Sequence, residues 1–193
     1  MIGRRRLSLG CVAALATSAL TRRGWGEEAP VPVTRQSELL VRVAAYDRNL
    51  PPRAQGTARV LILTNQDDAD SRGQAASMEV ALNRAGHIAG LPILVSTAPL
   101  TAGDAIAQRC KGEHISILYV TQGLDARVGE LVTSLDGGDI LSVSALPRYV
   151  QQGVVLGFDL VSGNPTLLFH LTRARRQNVA MDPKVVQLMQ VFR

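Results

Sequence analysis

Short apolar runs alternate with segments of helical periodicity along most of the chain. Apolar runs with little polar alternation predict buried strands at residues 59–64, 91–97, 115–121 and 140–145. The spacing of apolar residues between these runs predicts helices at 36–46, 71–85, 101–109, 127–135 and 147–152. Strands that are buried on both faces and joined by helices are typical of a mainly parallel sheet. The pattern therefore predicts an α/β fold, a three-layer sandwich with helices on both faces.

The C-terminal part of the chain follows a different pattern. Apolar segments at 154–161 and 166–172 flank a Ser-Gly-Asn-Pro turn, which predicts an antiparallel hairpin at the edge of the sheet. Asp182 followed by Pro183 is typical of a helix start, so a final helix is predicted over 183–192. By the same capping argument, Thr101 should cap the helix at 101–109, and Asp70 or Ser71 the helix after the first strand.

The N-terminal residues read as an export signal. Arg4, Arg5 and Arg6 precede an apolar stretch at 7–20, and a basic start, an apolar middle of about 7–15 residues and a small-residue exit define a secretory signal peptide. We expect a signal peptide with a short exit at 1–26, an extended lead at 27–34, and a single domain at 35–193. The predicted location is periplasmic, by either the Sec or the twin-arginine route, and the exact cleavage site stays open.

The formal net charge of +5 belongs to the export signal. Five arginines precede residue 27, so the 21 basic residues fall to 16 in the remaining chain, against 16 acidic residues that all lie from Glu27 onward. A neutral domain lacks the basic surface of a phosphate-backbone binder, and nucleic acid is not an expected partner. Arg173, Arg175 and Arg176 do cluster, and a solvated face is favoured there over an anion site.

The cysteine content of the predicted mature domain excludes an intrachain disulfide. Cys11 leaves with the predicted signal, so Cys110 is the only cysteine of the mature domain and cannot form an intrachain disulfide. Cys110 is therefore either a buried small apolar residue or a free thiol able to pair with another chain. Burial is favoured, since free cysteine is among the most buried residue types.

The sequence offers little catalytic or metal chemistry. The three histidines have no helical metal-pair spacing. Cys110 and His114 could form a nucleophile pair, but Lys111-Gly112 predicts a helix end between them and no third orienting group is identifiable. Residues 68–79 match several positions of a calcium loop, although Arg72 stands where an oxygen ligand belongs. We expect no catalytic residue, no metal and no cofactor.

One loop is a candidate ligand site because of its place in the predicted sheet. Open α/β sheets usually hold ligands at the carboxyl ends of their strands. The polar residues that follow the first predicted strand are Asn65, Gln66, Asp67, Asp68 and Asp70.

Four segments resemble a known family. They are LLVRVAAYDRNL at 39–50, RVLILT at 59–64, HISILYVT at 114–121 with Cys110 before it, and the tail at 153–192. Within the tail the matching positions are Gly153, Phe169-His170-Leu171, Arg173-Ala174-Arg175, and Asp182 ahead of the aliphatic pairs Val185-Val186 and Leu188-Met189. From about residue 35 to 192 the chain resembles the YfiR-like family of small exported bacterial proteins.

The resemblance implies a regulatory role. The best-known member represses an inner-membrane diguanylate cyclase by binding its periplasmic sensory region, and disulfides and dimerisation are associated with that protein. The implied partner here is a membrane-anchored signalling protein with a periplasmic sensor region, and a homodimer is an open alternative. Three departures stand out: the mature chain has one cysteine, His170 stands where relatives often have asparagine, and Asp47-Arg48-Asn49 replaces an aromatic-proline signature.

Three functions are therefore weighed. The leading one is an exported, non-enzymatic regulator that binds an inner-membrane signalling protein, such as a diguanylate cyclase, and represses or tunes it. Its candidate partner surface is the hairpin together with the final helix, and in particular Val185, Leu188, Met189 and Phe192, although core packing competes for these side chains. The alternative is a periplasmic small-ligand receptor that passes its state to a membrane partner. An exported enzyme is the least favoured, because no nucleophile–base or metal set is found.

Overall fold

The computed structural model describes residues 31–193, and the predicted signal peptide at 1–26 lies outside them. The described part contains an eight-stranded sheet with the strand order β2-β3-β1-β4-β5-β6-β7-β8. The strands are β1 (Ala58–Thr64), β2 (His87–Ile88), β3 (Leu91–Pro99), β4 (Ile117–Val120), β5 (Leu141–Ser144), β6 (Leu156–Val161), β7 (Asn164–His170) and β8 (Gln190–Phe192).

The sheet is mainly parallel, as predicted. Strands β3, β1, β4, β5 and β6 pair in parallel. β6 and β7 form the predicted antiparallel hairpin, in which Val161 faces Asn164 across the turn. The short β2 pairs antiparallel with the start of β3, and β8 adds in parallel outside β7.

Helices cover both faces of the sheet, which confirms the three-layer prediction. They are α1 (Val33–Ala44), α2 (Leu50–Ala54), α3 (Ala69–Ala85), α4 (Gly103–Gly112), α5 (Val128–Ser134), α6 (Pro147–Gln151), α7 (Leu171–Arg176) and α8 (Pro183–Val186). α3 packs with α1, and α4 packs with α5. The connection through α3 runs from β1 outward to β3, whereas those through α4 and α5 run the other way. Right-handed crossovers in opposite directions place their helices on opposite faces.

The core sits on the continuous apolar strands. Every residue of β4 and β5 is buried, as expected for strands covered on two faces. Two successive hydrogen bonds cross this core through the side chain of Gln36. The hydroxyl of Tyr119 donates to Gln36 Oε1 at 2.6 Å, and Gln36 Nε2 donates to the carbonyl of Val31 at 2.7 Å. Burial raises the pKa of Tyr119, so its hydroxyl stays a neutral donor that fixes α1 on the sheet.

Two capping predictions were wrong. α3 begins at Ala69, two residues earlier than predicted, because its cap is Asp68 rather than Asp70 or Ser71. The Asp68 carboxylate accepts from the backbone N–H of Asp70 at 2.9 Å. α4 begins at Gly103 after Ala102, and Thr101 does not cap it. The first amide of α4 instead donates to Glu130 Oε1 of α5 at 2.8 Å. A side chain from a neighbouring helix thus performs the capping that a local residue was expected to supply.

The predicted final helix forms, but it is one turn long. α8 spans Pro183–Val186 with Asp182 as its side-chain cap, as predicted. The predicted continuation to Phe192 was wrong, because residues 190–192 leave the helix and form β8. Residues 168–170 of β7 would otherwise present an unpaired outer edge, and pairing with β8 satisfies those backbone groups.

Across residues 31–193, no helix combines the length and the hydrophobicity that a bilayer crossing requires.

Candidate functional site

The loop predicted as a ligand site lies at the carboxyl end of β1, between β1 and α3. The direction of the chain across the sheet reverses between β1 and β4, and such a switch point is where open α/β sheets usually bind ligands. Here the two loops at this point are bonded to each other: Asn65 Nδ2 donates to the carbonyl of Gly123, after β4, at 2.9 Å. Asn65 Oδ1 accepts from the amide of Asp67 at 3.1 Å.

Asp68 also fills the space between these two loops, because its carboxylate lies against Gly123. A Cβ at Gly123 would lie 2.1 Å from Asp68 Oδ2, and Gly123 has a φ of +77°. The carbonyl of Gln66 accepts from the guanidinium of Arg72, and Asp70 is exposed in the first turn of α3. The structure therefore places the five predicted residues at the carboxyl end of β1, where the side chains of Asn65 and Asp68 are paired within the protein and those of Gln66, Asp67 and Asp70 are exposed.

A second group fixes the turn after β4. The hydroxyl of Tyr149 donates to Asp125 Oδ2 at 3.0 Å and accepts from the amide of Leu124 at 2.8 Å. Burial raises the pKa of Tyr149 to about 12. The Arg148 guanidinium beside Asp125 lowers the pKa of that carboxyl. These two hydrogen bonds fix the turn after β4, on one side of the switch point.

An open cleft lies at the opposite end of the sheet, near the amino ends of β1, β4 and β5. We call it the amino-end cleft. Its volume is about 490 Å³, within the range of small-molecule sites. Its walls come from the ends of α2, α4 and α5 and from the turn at Asp136-Gly137-Gly138 before β5. Its lining includes Arg53, Ala107, Cys110, His114, Ile115 and Asp139.

A buried ion pair lies beside this cleft, and its arginine, Arg53, is one of the lining residues. Arg53 and Asp47 have side-chain exposures of 2% and 0% and contact each other through Nη2 and Oδ2. Arg53 Nη1 lies 3.5 Å from Asp139 Oδ1. Its Nε and Nη1 are nevertheless buried without a hydrogen-bond partner, as is the side-chain amide of Gln177 within the described residues. The carbonyl of Gln177 accepts from Ile140 at 3.2 Å, so both unpaired groups lie beside the start of β5.

Cys110 also lines the cleft, and it is a free, buried cysteine, as favoured from the sequence. Burial raises the pKa of its thiol to about 12, so the thiolate needed for nucleophilic chemistry is scarce at neutral pH. His114 lies past the end of α4, exposed, with a φ of +52°. Its Nδ1 lies 3.5 Å from Gln55 Nε2.

Asp47 also anchors the C-terminal part of the chain. We call residues 46–53 together with 178–182 the junction. The second carboxylate oxygen of Asp47 accepts from the amide of Ala180 at 2.9 Å, and Arg48 donates to Asp182 Oδ2 at 3.1 Å. Asn49 Nδ2 donates to the carbonyl of Asn178 at 2.8 Å. The three residues that depart from the aromatic-proline signature thus each bind the segment that leads into α8.

The junction positions the predicted partner surface, residues 183–192, which we call the terminal segment. Leu188 is 80% exposed, whereas Met189 is buried. Val185 and Phe192 are half-buried, and Val191 is 39% exposed. Of the predicted residues, Leu188 is therefore the one that is presented to solvent, and Met189 belongs to the core.

The arginine cluster of the tail lies on α7, and two of its three members, Arg173 and Arg176, pair with Asp136. Arg173 Nη1 contacts both carboxylate oxygens of Asp136 at 2.8 Å, and Arg176 contacts one of them at 2.9 Å. His170 precedes α7 and accepts from the amide of Arg173 at 3.5 Å through Nδ1. Burial, and next the charge of Arg173, lower the pKa of His170.

Within the described part of the chain, no three His, Cys, Asp or Glu side chains are grouped closely enough to hold a metal ion. Sequence reasoning missed the amino-end cleft and the Asp47–Arg53 pair. The signal that could have located the pair was the Asp47-Arg48-Asn49 run, which replaces the aromatic-proline signature of the best-known branch.

Comparison with known proteins identifies the family. The model of the YfiR/HmsC-like family matches residues 36–190, which is nearly the whole described domain. The chain belongs to the YfiR/HmsC-like family. This confirms the resemblance found in the sequence, and it assigns the chain to a family of periplasmic regulatory proteins. Comparison with curated protein sequences gives no match.

Solved structures show the same fold at low identity. A conserved domain protein from Vibrio cholerae is 13% identical with a TM-score of 0.60, over 84% of this chain and 60% of that one. An ABC domain in complex with L-Trp from Streptococcus pneumoniae is 12% identical with a TM-score of 0.60, over 83% and 60%. An open, ligand-free substrate-binding protein with adhesive properties from Clostridium difficile is 12% identical with a TM-score of 0.61, over 84% and 60%.

This YfiR/HmsC-like chain spans about 60% of the length of those structural neighbours. The likeness concerns the fold: a mainly parallel sheet with helices on both faces.

Proposed function

We propose that this chain is an exported, non-enzymatic regulator that binds an inner-membrane signalling protein, such as a diguanylate cyclase, and represses it. The membership of residues 36–190 in the YfiR/HmsC-like family carries the proposal. The proposed signal peptide at 1–26 would deliver the domain to the compartment where the sensory region of such a partner lies.

The terminal segment is the proposed contact surface. A leucine that is 80% exposed leaves most of its apolar surface in water, and burying it against a partner is favourable by about 25 cal/mol per Å². Leu188 lies in the short turn between α8 and β8, and both flanking elements are held in place. α8 is capped by Asp182, and β8 is paired to β7. A fixed backbone with one protruding apolar side chain suits a specific contact, since little entropy is lost on binding.

The test is a deletion followed by complementation, with cyclic di-GMP as the readout. Deletion should raise cyclic di-GMP, and the wild-type gene should restore the lower level. Leu188→Asp should be exported and folded but fail to restore it. Val80→Asp is the matched control, because Val80 is 61% exposed on α3, outside both the hairpin and the terminal segment. An unchanged cyclic di-GMP level on deletion would sink the proposal.

A second candidate function is a small-ligand receptor, and the amino-end cleft favours it. The cleft has an apolar wall that includes Ile115 and Ala107, and a buried guanidinium with donors to spare in its lining. A small molecule with an apolar body and a carboxylate or carbonyl acceptor matches that lining, because a buried donor without an acceptor costs about 1–3 kcal/mol. The proposed ligand site thus lies at the amino ends of the strands rather than at the Asn65–Asp70 loop.

L-tryptophan is a suitable first probe, because one structural neighbour was solved with it and it has an apolar body and a carboxylate. Binding should raise the Tm of the purified protein. Ala107→Trp, which fills the cleft, should abolish the shift, whereas Ala126→Trp, at an exposed loop position, should keep it. An equal shift in both variants would exclude the cleft as the site.

A further inference from the structure

Basic side chains are concentrated in the last part of the chain, which contains the terminal segment. Residues 171–193 hold five basic side chains and one acidic side chain, Asp182. Residues 31–170 instead hold eleven basic and thirteen acidic side chains. The described domain is therefore close to neutral as a whole, but its positive charge is collected at the C-terminal end. A local excess of one sign attracts molecules that carry the opposite sign.

The basic residues of this part also come together in the fold. Arg175 is exposed on α7, Lys184 is exposed in α8, and Arg193 is exposed directly after β8. We call these three side chains the basic rim. α8 and β8 flank the turn that carries Leu188, and α7 packs against β8. The three elements that supply the rim thus adjoin the turn whose leucine is 80% exposed.

The acidic groups beside the rim are already used within the protein. The Asp182 carboxylate accepts from the amide of Lys184 at 2.9 Å and from Arg48 at 3.1 Å, and these two hydrogen bonds lower its pKa. Asp136 is shared by the other two arginines of α7. Within residues 31–193, no carboxylate forms an ion pair with the basic rim. The rim therefore presents positive charge that the domain itself does not neutralise.

We propose that the terminal segment binds an apolar pocket bordered by acidic side chains on the membrane signalling partner. The inference rests on the proposed repression of such a partner, and it specifies the chemistry of the contact site. Leu188 enters the pocket, and the basic rim faces aspartate or glutamate side chains around it. Burial of the leucine supplies affinity. Opposite charges at the border mainly raise the association rate and exclude wrong partners.

A protein surface fits these charges better than an anionic lipid surface does. Anionic headgroups are typically bound by clusters of about four to eight Lys or Arg residues, and the basic rim has three. Binding in the membrane interface also requires a helix with a large apolar face. α8 is one turn long, and the next most exposed apolar side chain of the terminal segment after Leu188 is Val191, at 39%.

Charge variants of Lys184 test the rim in the deletion strain, with each protein expressed from a titratable promoter. The readout is the amount of exported protein that restores half of the fall in cyclic di-GMP. Lys184→Gln should require about threefold more protein than the wild type, and Lys184→Glu roughly tenfold more, because reversal replaces attraction by repulsion. Lys184→Arg keeps the charge and should match the wild type.

Arg84→Glu is the matched control. Arg84 is exposed on α3, outside residues 171–193, and the change of charge is the same as in Lys184→Glu. It should restore repression like the wild type, with unchanged circular dichroism in both variants. Equal potency of Lys184→Glu and the wild type, or an equal loss in Arg84→Glu, would overturn the acidic contact. Repression itself would still stand if the wild-type gene lowers the cyclic di-GMP level that deletion raises.

Vesicles test the lipid alternative on the purified exported protein. The wild type is sedimented with vesicles of phosphatidylglycerol and phosphatidylcholine in about equal parts, and with vesicles of phosphatidylcholine alone. It should stay in the supernatant with both, because three rim cations are too few for stable binding to the anionic surface. Sedimentation of the wild type with the anionic vesicles, abolished by Lys184→Glu, would show that the rim contacts lipid and would refute the proposal.

Discussion

Asp47 and Arg53 form an ion pair that is removed from solvent at both ends, with side-chain exposures of 0% and 2%. The same carboxylate accepts from the amide of Ala180, 133 positions along the chain, at 2.9 Å. One side chain therefore neutralises a buried cation and holds the segment that leads into α8. Asp47, which departs from the family's aromatic-proline signature, therefore connects the N-terminal part of the domain to the C-terminal part.

Removing the charge of Asp47 should strongly destabilise the domain. Asp47→Asn keeps the shape and one acceptor but leaves the buried Arg53 guanidinium with only the Asp139 carboxylate, 3.5 Å away and 52% exposed, as a counter-ion. Breaking a buried pair in this way costs about 3–5 kcal/mol. Urea unfolding followed by circular dichroism measures the change in the free energy of unfolding.

The matched control is Arg35→Ala, which breaks the Arg35–Glu38 pair on α1. Its partners are 44% and 54% exposed, and exposed pairs contribute about 0–1 kcal/mol. If Asp47→Asn lost no more stability than Arg35→Ala, the account of the junction given above would be wrong.

The sequence predicted those elements whose residues carry a local signal. β1 and β4 lie in continuous apolar runs, which are typical of strands buried on two faces. The segments that form β3, β5 and β6 were also predicted as strands, although most side chains of β3 are half-buried or exposed, and the two-residue β2 was not predicted. The β6–β7 hairpin was readable from its Ser-Gly-Asn-Pro turn. In contrast, Val185, Val186, Leu188 and Met189 fit a helix and a turn before a strand equally well. The choice depends on the free edge of β7, which local spacing does not reveal.

The candidate sites were harder to predict for a related reason. The polar loop after β1 was correctly located in the sheet, but the bond from Asn65 to Gly123 joins residues 58 positions apart. Likewise, the amino-end cleft is assembled from the ends of three helices that carry no motif. Contacts between distant segments depend on the packed fold, and a single sequence contains no pattern for them.

His170 should make stability depend on pH. Burial and Arg173 lower its pKa in the folded state, while in the unfolded chain histidine titrates near 6.5. As pH falls, the unfolded state therefore binds the proton first. The contribution is complete above about pH 6.5 and is lost as pH falls through the folded-state pKa. Urea midpoints between about pH 7 and pH 5 measure this slope.

His170→Asn removes the titration and keeps a capping acceptor for α7. The variant should match the wild type most closely at pH 8 and lose less stability than the wild type towards pH 5. Equal slopes in the two proteins would show that His170 does not contribute to the pH dependence.

Adding a methyl group at Gly157 on β6 should destabilise the domain. A Cβ at this position would lie 2.4 Å from Val150 Cγ2, so Gly157→Ala should cost about 1–3 kcal/mol through overpacking. Gly129→Ala on α5 is the control, because nothing lies within 4 Å of its Cβ, and alanine there should be neutral or stabilising by up to about 1 kcal/mol. Val150→Ala should relieve the cost of Gly157→Ala, and a cost that is unchanged in that background would contradict the steric explanation.

The Cys110 thiol should react only when the domain opens. Its pKa is raised from 9.0 to about 12, which lowers the thiolate fraction at pH 8 by roughly a thousandfold. Labelling with a thiol-specific disulfide reagent should be slow in buffer and fast in urea. An Ala126→Cys, Cys110→Ser variant, with its thiol on an exposed loop, should react quickly in both. Because labelling of Cys110 requires the domain to open, Asp47→Asn should accelerate the labelling in proportion to the stability lost. Fast labelling of the folded wild type would contradict this prediction and would mean that the thiol is accessible from the amino-end cleft.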